Sequence, residues 1–321
     1  MHPNLHSILE LVKNCLGLDD LFSPRGGIYT YSQSSMILFF VVMMLKGIHQ
    51  FKTMEAYAIQ HYGSFGWQQA PSRPTIRRRF LVLPAILQKL MEQIAQYCSD
   101  LDACFNYCLG FIDKSVFRAK GGLWHKKHMK LGVVPHPSID QEASWGKSAY
   151  HGWRFGYGLH LIVNQLRFPI SACVTAASVK DHTQLMRLVK PLAHRLLVIV
   201  GDQGYQAIQT IWKIWKEHQV FVLTNVFFQT ASKLKNWYNE RLTKMDFGWL
   251  YAKRKPSVEP AFALIKELFG LQHENQLPYK GIHRVSSYLM ICSLTLQLLM
   301  VFNHLQEQPI GSLNKFRAII K

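Results

Sequence analysis

Asp113 and Asp202 each follow a short apolar run, 107–112 and 196–200, and each is expected at the C-terminal end of a buried strand. Ligands and catalytic groups gather at such strand ends in open α/β sheets. A third acid, Glu259, lies in the stretch YAKRKPSVEPAFALIKELFG, residues 251–270. Ser257 after Pro256 predicts an N-cap there, with a helix over 258–268 and Pro260 tolerable only in its first turn. Phe262, Ile265 and Phe269 fall on the expected buried face, whereas Glu259 and Lys266, two turns apart, share another. Carboxylates are hard oxygen donors of the kind that hold Mg²⁺ together with substrate phosphates. Two such ions about 3.5–4 Å apart clamp the attacking and leaving oxygens of a phosphodiester displacement. On this reading Asp113, Asp202 and Glu259 are at once the catalytic carboxylates and the metal ligands, for two ions of Mg²⁺ or Mn²⁺. For residues 251–270 alone, a solvated amphipathic helix with a basic lead-in stands as the alternative.

Basic side chains surround these acids in the sequence. Lys253, Arg254 and Lys255 lead into the helix of Glu259, and Lys114, Arg118, Lys120, Lys126, Lys127 and Lys130 follow Asp113. Cations of this kind hold a DNA backbone that clustered acids alone would repel. Over the whole chain 37 Lys+Arg against 19 Asp+Glu give a formal charge of +18, which favours a polyanionic partner, nucleic acid first. A membrane surface is the weaker partner, because the bases are spread over loops and strand ends. The longest apolar runs, 36–45 and 289–302, are shorter than the roughly 20 residues that cross a bilayer and read as buried core helices. The six cysteines are scattered without a C-x-x-C pair, and the N-terminus lacks a signal-peptide pattern, so reduced thiols and a cytoplasmic, nucleoid-associated protein are expected.

The elements that must position these groups divide at about residue 104. Residues 1–104 read as all-helical: 6–16, a helix through 45 capped by Ser34 or Ser35, one over 53–61 capped by Thr53, and one capped by Thr75. The last carries Arg77, Arg78 and Arg79. A short helix, a loop and an arginine-rich helix suit a helix-turn-helix-like DNA reader, and a bundle with one basic face is the alternative. From 105 the pattern changes to strands. A hairpin is expected over 156–163 and 170–175 with its turn at 164–167. Strands at 196–200 and 220–224 then alternate with helices at 182–188 and 207–218, and a final helix runs over 286–305. Strands first, then alternation, predict an α/β layer around a mixed sheet over 105–308, followed by a tail at 309–321.

The order of these motifs resembles the DDE transposases of bacterial insertion sequences, in the group with a Tyr-Arg-Glu-Lys signature. Ile112-Asp113 is similar to the first acidic motif, Gly158-Leu159-His160 and Ser178-Val179-Lys180-Asp181 to the second and third strands and their loop. Val200-Gly201-Asp202-Gln203-Gly204-Tyr205 resembles the second acidic motif, and Tyr251, Arg254, Glu259 and Lys266 the signature helix. The resemblance implies a ribonuclease-H-like catalytic domain with a reduced insertion between Asp202 and Glu259. It implies Mg²⁺-dependent hydrolysis at the ends of a mobile element, then attack of the freed 3′-hydroxyl on target DNA. Tyr251, Arg254 and Lys266 would contact DNA near the scissile phosphate. Four residues separate Arg254 from Glu259 where the family has three, which offers Lys255 for the arginine's role, and Lys114 follows the first Asp. Double-stranded DNA, as terminal inverted repeats and as target, is the expected partner, with a homodimer on it. A DNA-binding protein with an inactive remnant of the site is the second function class.

Other residues carry blander expectations. His125, His128 and His136 read as solvated bases rather than a zinc site, because no Cys or acid has matching spacing. His160 reads as a packed, hydrogen-bonded histidine, and Cys104 and Cys108 as packing residues. Asp181 is expected as the N-cap of the helix after it, with a place beside the metal as the alternative. Trp212 and Trp215 read as core or domain-contact residues. Trp237, Tyr238 and Trp249, among Lys233, Lys235, Arg241 and Lys244, read as packing residues, with stacking on unpaired bases as the alternative.

Overall fold

The computed structural model describes residues 3–21, 28–148, 152–225, 236–237, 239–272 and 275–312. Of the aromatic residues read as packing or base-stacking groups and the bases around them, Lys233, Lys235 and Tyr238 lie outside these ranges. Five helices come first: α1 (Pro3–Leu16), α2 (Gln33–Leu45), α3 (Phe51–His61), α4 (Arg73–Leu81) and α5 (Leu83–Leu101). The caps differ from expectation. Ser32, not Ser34 or Ser35, caps α2 by accepting from the Ser35 N–H, while the buried Asp20 carboxylate takes the Ser34 N–H at 2.6 Å. Helices α3 and α4 begin ahead of Thr53 and Thr75, and Ser72 stands at the N-cap of α4 with Pro74 in its first turn, where a missing N–H costs nothing.

A six-stranded sheet follows. Its strands are β1 (Leu109–Arg118), β2 (Ser144–Ser148), β3 (Gly152–Val163), β4 (Pro169–Ala176), β5 (Val198–Val200) and β6 (Phe221–Leu223). They run in the order β4-β3-β1-β5-β6, with β2 paired to the first residues of β3. The β1–β3, β2–β3 and β3–β4 pairs are antiparallel, and β1–β5 and β5–β6 are parallel, so the sheet is mixed as expected. The helices between and after the strands are α6 (Lys126–Lys130), α7 (His182–Val189), α8 (Ile208–His218), α9 (Gly248–Ala252), α10 (Arg254–Leu268) and α11 (Ile282–Leu305).

The core is organised on α11. This 24-residue helix is apolar enough to span a bilayer by length and composition, yet its apolar window is wholly buried inside the protein. It packs on β4, α5, α2 and α4 at once, joining the helical half to the sheet. Several of its buried polar side chains bond within the protein, although the Tyr288 hydroxyl, Gln297 Oε1 and Asn303 Oδ1 are buried without a partner among the described residues. Ser293 and Thr295 donate to carbonyls one turn back, and the Gln297 amide donates to Met91 O and Pro169 O, tying α5 and β4 to the same side chain.

Helix α10 begins earlier than its sequence suggests. Ser257 is buried in its first turn rather than capping it, and Pro260 lies inside the helix. The chain enters from α9 through Lys253, already helical, so the Ser257 N–H finds the Lys253 carbonyl at 3.2 Å. Pro260 has no N–H for the Pro256 carbonyl. Arg167, from the β3–β4 turn, donates Nε to that carbonyl at 3.3 Å.

Candidate active site

Asp113 lies on β1, but not at its end. The strand runs five residues further, because β3 continues to pair with it to Arg118. The parallel partner β5 stops opposite Phe111, and Asp202 follows just after β5. The two aspartates therefore sit where the sheet opens between β1 and β5, the kind of crevice that binds ligands in α/β sheets. Asp202 is held by its own turn: its Oδ1 accepts from the Gly204 N–H at 2.9 Å, and its carbonyl accepts from Thr224 Oγ1 beyond β6. Glu259 reaches the same opening from α10. Asp113, Asp202 and Glu259 line one cleft of about 570 Å³ with a fourth carboxylate, Asp181, and six basic side chains: Lys114, Lys147, Arg154, Arg254, Lys255 and Lys266.

Asp181 departs from its expected role. It stands at the start of α7, yet its side chain makes no capping bond. It turns into the cleft and forms an ion pair with Lys114. Lys114 Nζ also faces the Ala177 and Val179 carbonyls at 3.4 and 3.2 Å, which fixes the loop that carries Asp181. Gly158 makes room for this: a Cβ there would stand 2.7 Å from Lys114 Cδ. Gly204 does the same for the acids, since a Cβ there would stand 2.5 Å from Asp181 Oδ2 and 3.0 Å from Asp202 Oδ1.

The electrostatics follow from this crowding. Burial, then the Asp202 charge, pushes the Asp113 carboxyl up to about 6. Burial also raises the Asp181 carboxyl, against the pull of Lys114. Arg254 opposes the rise at Asp113 by placing Nη1 2.7 Å from Oδ2, and the Lys114 N–H donates to Oδ1 at 2.8 Å. Beneath the cleft the wholly buried His160 bridges the Tyr205 hydroxyl at 3.1 Å and Thr175 Oγ1 at 3.0 Å. Burial, then Lys114, drives His160 down to about 3, so it is neutral and structural, as its strand position suggested.

The donor atoms of the three sequence-predicted carboxylates are not drawn together as a group to within 4.8 Å. Among the described residues only Asp102, Cys104 and His304 reach that closeness. The Arg254 guanidinium occupies one side of Asp113. The donor set itself suits a hard dication: carboxylate oxygens from a strand, a post-strand turn and a helix, facing one opening, with the Asp202 charge disfavouring that of Asp113.

The remaining expected residues are spread around this centre. Arg254, Lys255 and Lys266 line the cleft. Burial, then Arg154, lowers the Lys266 ammonium from its usual range. Tyr251 is half-buried nearby, and its hydroxyl accepts from Asn225 Nδ2 at 3.0 Å. Arg77 and Arg78 are exposed on α4 and line a groove with Arg73 and Arg284. That groove shares Phe51 and Arg284 with a second one holding Lys120, Lys280 and His49. Arg79 has a different place. It is buried, its Nη2 donates to the Tyr31 carbonyl at 3.0 Å, and its guanidinium lies 3.6 Å from the centre of the Tyr29 ring. Within α4, the position one past two exposed arginines falls on the inner face. Sequence reasoning missed Lys147 and Arg154, which β2 and the start of β3 bring to the cleft, and gave Lys114 and Asp181 no joint role. His125 and His128 hold no metal-like geometry with an acid or thiol among the described residues.

A mixed-sheet α/β protein with carboxylates from β1, the β5 turn and a later helix, ringed by bases, defines a class of enzymes that act on phosphodiesters. Residues 105–298 match the family described as transposase DDE domain, and the chain belongs to that family. Among solved structures, the piggyBac transposase synaptic complex with hairpin DNA is 10% identical, with 98% of this chain and 76% of that chain covered and a TM-score of 0.44. The Mos1 transposase paired-end complex with left transposon end is 10% identical, with 76% and 80% covered and a TM-score of 0.21. No curated protein matches the chain.

Proposed function

We propose that the chain is a DNA transposase of bacterial insertion-sequence type, in the group with the Tyr-Arg-Glu-Lys signature, with a ribonuclease-H-like catalytic domain. The observation that carries this reading is the single cleft shared by Asp113, Asp202, Glu259 and six basic side chains. Asp113, Asp202 and Glu259 are its catalytic carboxylates and would hold Mg²⁺ or Mn²⁺, with Asp181 beside them. Two such ions supply Lewis acidity at the scissile phosphate and lower the pKa of the attacking water or 3′-hydroxyl.

The chain's own residues do the rest. Arg254 and Lys255 at the start of α10, with Lys147, Arg154 and Lys266 across the cleft, bind the phosphates on either side of the scissile bond. Tyr251, held by Asn225, orients the strand end. Lys114 keeps Asp181 and its loop in place. Residues 1–104 form the helical part that recognises element ends through Arg77 and Arg78, with Arg79 holding the helix that carries them, and Lys120 extends the basic surface. Residues 105–308 form the catalytic domain and 309–321 a tail. The substrates are terminal inverted repeats and target DNA. A homodimer brings two ends together, in the cytoplasm and on the nucleoid.

The test is nicking of DNA that carries the element's terminal repeats, with Mg²⁺ and purified protein. Wild type should cut at the repeat ends and Asp202→Asn should not. Repeat binding by both without cutting by either would instead favour the DNA-binding protein with an inactive remnant.

A further inference from the structure

Far from the carboxylate cleft, three side chains of metal-ligand type meet where two helices end. Asp102 is the C-cap residue of α5, Cys104 lies in the 3₁₀ turn Ala103–Phe105, and His304 is in the last turn of α11. One ligand atom from each lies within 4.8 Å of the others. His304 Nε2 is 2.9 Å from Asp102 Oδ2, and its Nδ1 is 3.9 Å from Cys104 Sγ. Ligands of a tetrahedral zinc-type ion stand roughly 3.3–3.8 Å apart, given bonds of about 2.0 Å to nitrogen and about 2.3 Å to sulfur. The two contacts use different ring nitrogens, so an ion held by all three takes one imidazole nitrogen and replaces the contact made by the other.

From this geometry we infer that Asp102, Cys104 and His304 form a site for a soft divalent cation of the zinc type, separate from the catalytic centre. The field at the site supports a cation independently. Both α5 and α11 direct their C-terminal ends there, and unpaired helix carbonyls carry negative partial charge. The donors are one thiol, one imidazole and one carboxylate, a set that selects zinc-like ions over Mg²⁺. Asp102 and the Cys104 thiolate together neutralise the dication. Binding breaks the Cys104 S–H bond and releases its proton to solvent, so affinity rises with pH. The burial that pushes this thiol up to about 11 is then offset by the metal–sulfur bond. A solvent-side position remains for a fourth ligand. The cleft of about 550 Å³ that passes Asp102 and His304 is open to water and also lined by Glu10 and Asn14 of α1. Such an ion would pin the end of the core helix α11 to the junction between the helical half and the sheet.

The test is Co²⁺ titration of the full-length chain, followed by absorption. One equivalent should give a thiolate-to-cobalt charge-transfer band, which Zn²⁺ should displace. Cys104→Ser should abolish the band, and His304→Gln should weaken Co²⁺ binding by more than the about 10–100-fold that loss of an outer-shell partner costs. Asp113→Asn should leave the band unchanged, since the catalytic cleft holds no sulfur. Circular dichroism confirms that each variant is folded. Absence of the sulfur band in wild type overturns the proposal, and so does a band that survives Cys104→Ser. Should Cys104→Ser fail to fold, His304→Gln decides: a folded chain that binds Co²⁺ as tightly as wild type overturns the site.

Discussion

The Arg254 guanidinium stands 2.7 Å from the Asp113 carboxylate, so a side chain proposed to grip DNA occupies one face of a proposed metal ligand. The contact offsets part of the rise that burial, then the Asp202 charge, imposes on the Asp113 carboxyl. Metal and Arg254 therefore compete for the same oxygen, and DNA phosphates offer Arg254 somewhere else to go.

The acid limb of nicking should report this pair. Asp113 must be ionised to hold a cation, and its carboxyl lies at about 6 rather than in the usual range. At sub-saturating Mg²⁺, where protons and metal compete for this carboxylate, activity should fall as pH drops through about 6. Arg254→Gln removes a lowering influence and should move that limb to higher pH. A pH–rate profile that is flat down to pH 5 for wild type would refute the assignment.

Asp181 is predicted to matter for metal affinity more than for DNA binding. Asp181→Asn removes the partner of Lys114 and leaves an ammonium beside the remaining acids. The apparent affinity for Mn²⁺ should drop about 10–100-fold, as for outer-shell partners of metal ligands. Binding of terminal-repeat DNA, followed by gel shift without metal, should change little. Lys114→Ala combined with Asp181→Asn should recover part of the loss, a coupling measurable as a double-mutant cycle.

Gly204→Ala tests the spacing of the acids directly. The added methyl would press on the Asp181 and Asp202 carboxylates at 2.5 and 3.0 Å. Displacing a catalytic group by an ångström costs about 100-fold in rate, and a loss of this order is expected in single-turnover nicking. Gly204 is exposed on a surface turn, so the thermal midpoint should hardly move.

His160 gives stability a pH dependence of known sign. Its folded pKa is about 3, far below the ordinary histidine value, so the unfolded chain takes up a proton first as pH falls. The contribution is fully present above about 6.5 and is lost progressively below it. Urea midpoints should decline from pH 7 to pH 5, and His160→Gln should flatten that decline. Because Tyr205 and Thr175 both bond to the ring, His160→Leu should cost about 2–4 kcal/mol at pH 7. Equal midpoints for His160→Leu and wild type would rule out the bridging role.

Much of the sheet was legible because apolar runs, turn residues and acids mark strands locally. The β3–β4 hairpin and the strand before Asp202 fall where periodicity puts them. The start of α10 was not legible: Pro256 and Ser257 look like a helix boundary, and the Pro256 carbonyl that Pro260 cannot serve takes its hydrogen bond from Arg167, far off in sequence. Asp181 was misread for a similar reason. Its local position suits a cap, but a lysine on β1 outcompetes the nearby N–H groups for its carboxylate. Ser32 and Asp20 share the start of α2 through a contact that no local pattern encodes. Arg79 and its two exposed neighbours are alike in type, and the direction of each was set by packing on Tyr29 and Tyr31. Convergence at the cleft is long-range throughout, from residues as far apart as Asp113 and Lys266.

Helix α11, buried on every side between the helical half and the sheet, also sets an order of events at the ribosome. The surfaces of α2, α4, α5 and β4 that it covers are synthesised well before it. Until residue 305 clears the exit tunnel, the growing chain carries an open, greasy trough and cannot reach its final form. A message cut short before that point would yield a sticky fragment for chaperones and proteases, not a smaller protein that binds DNA.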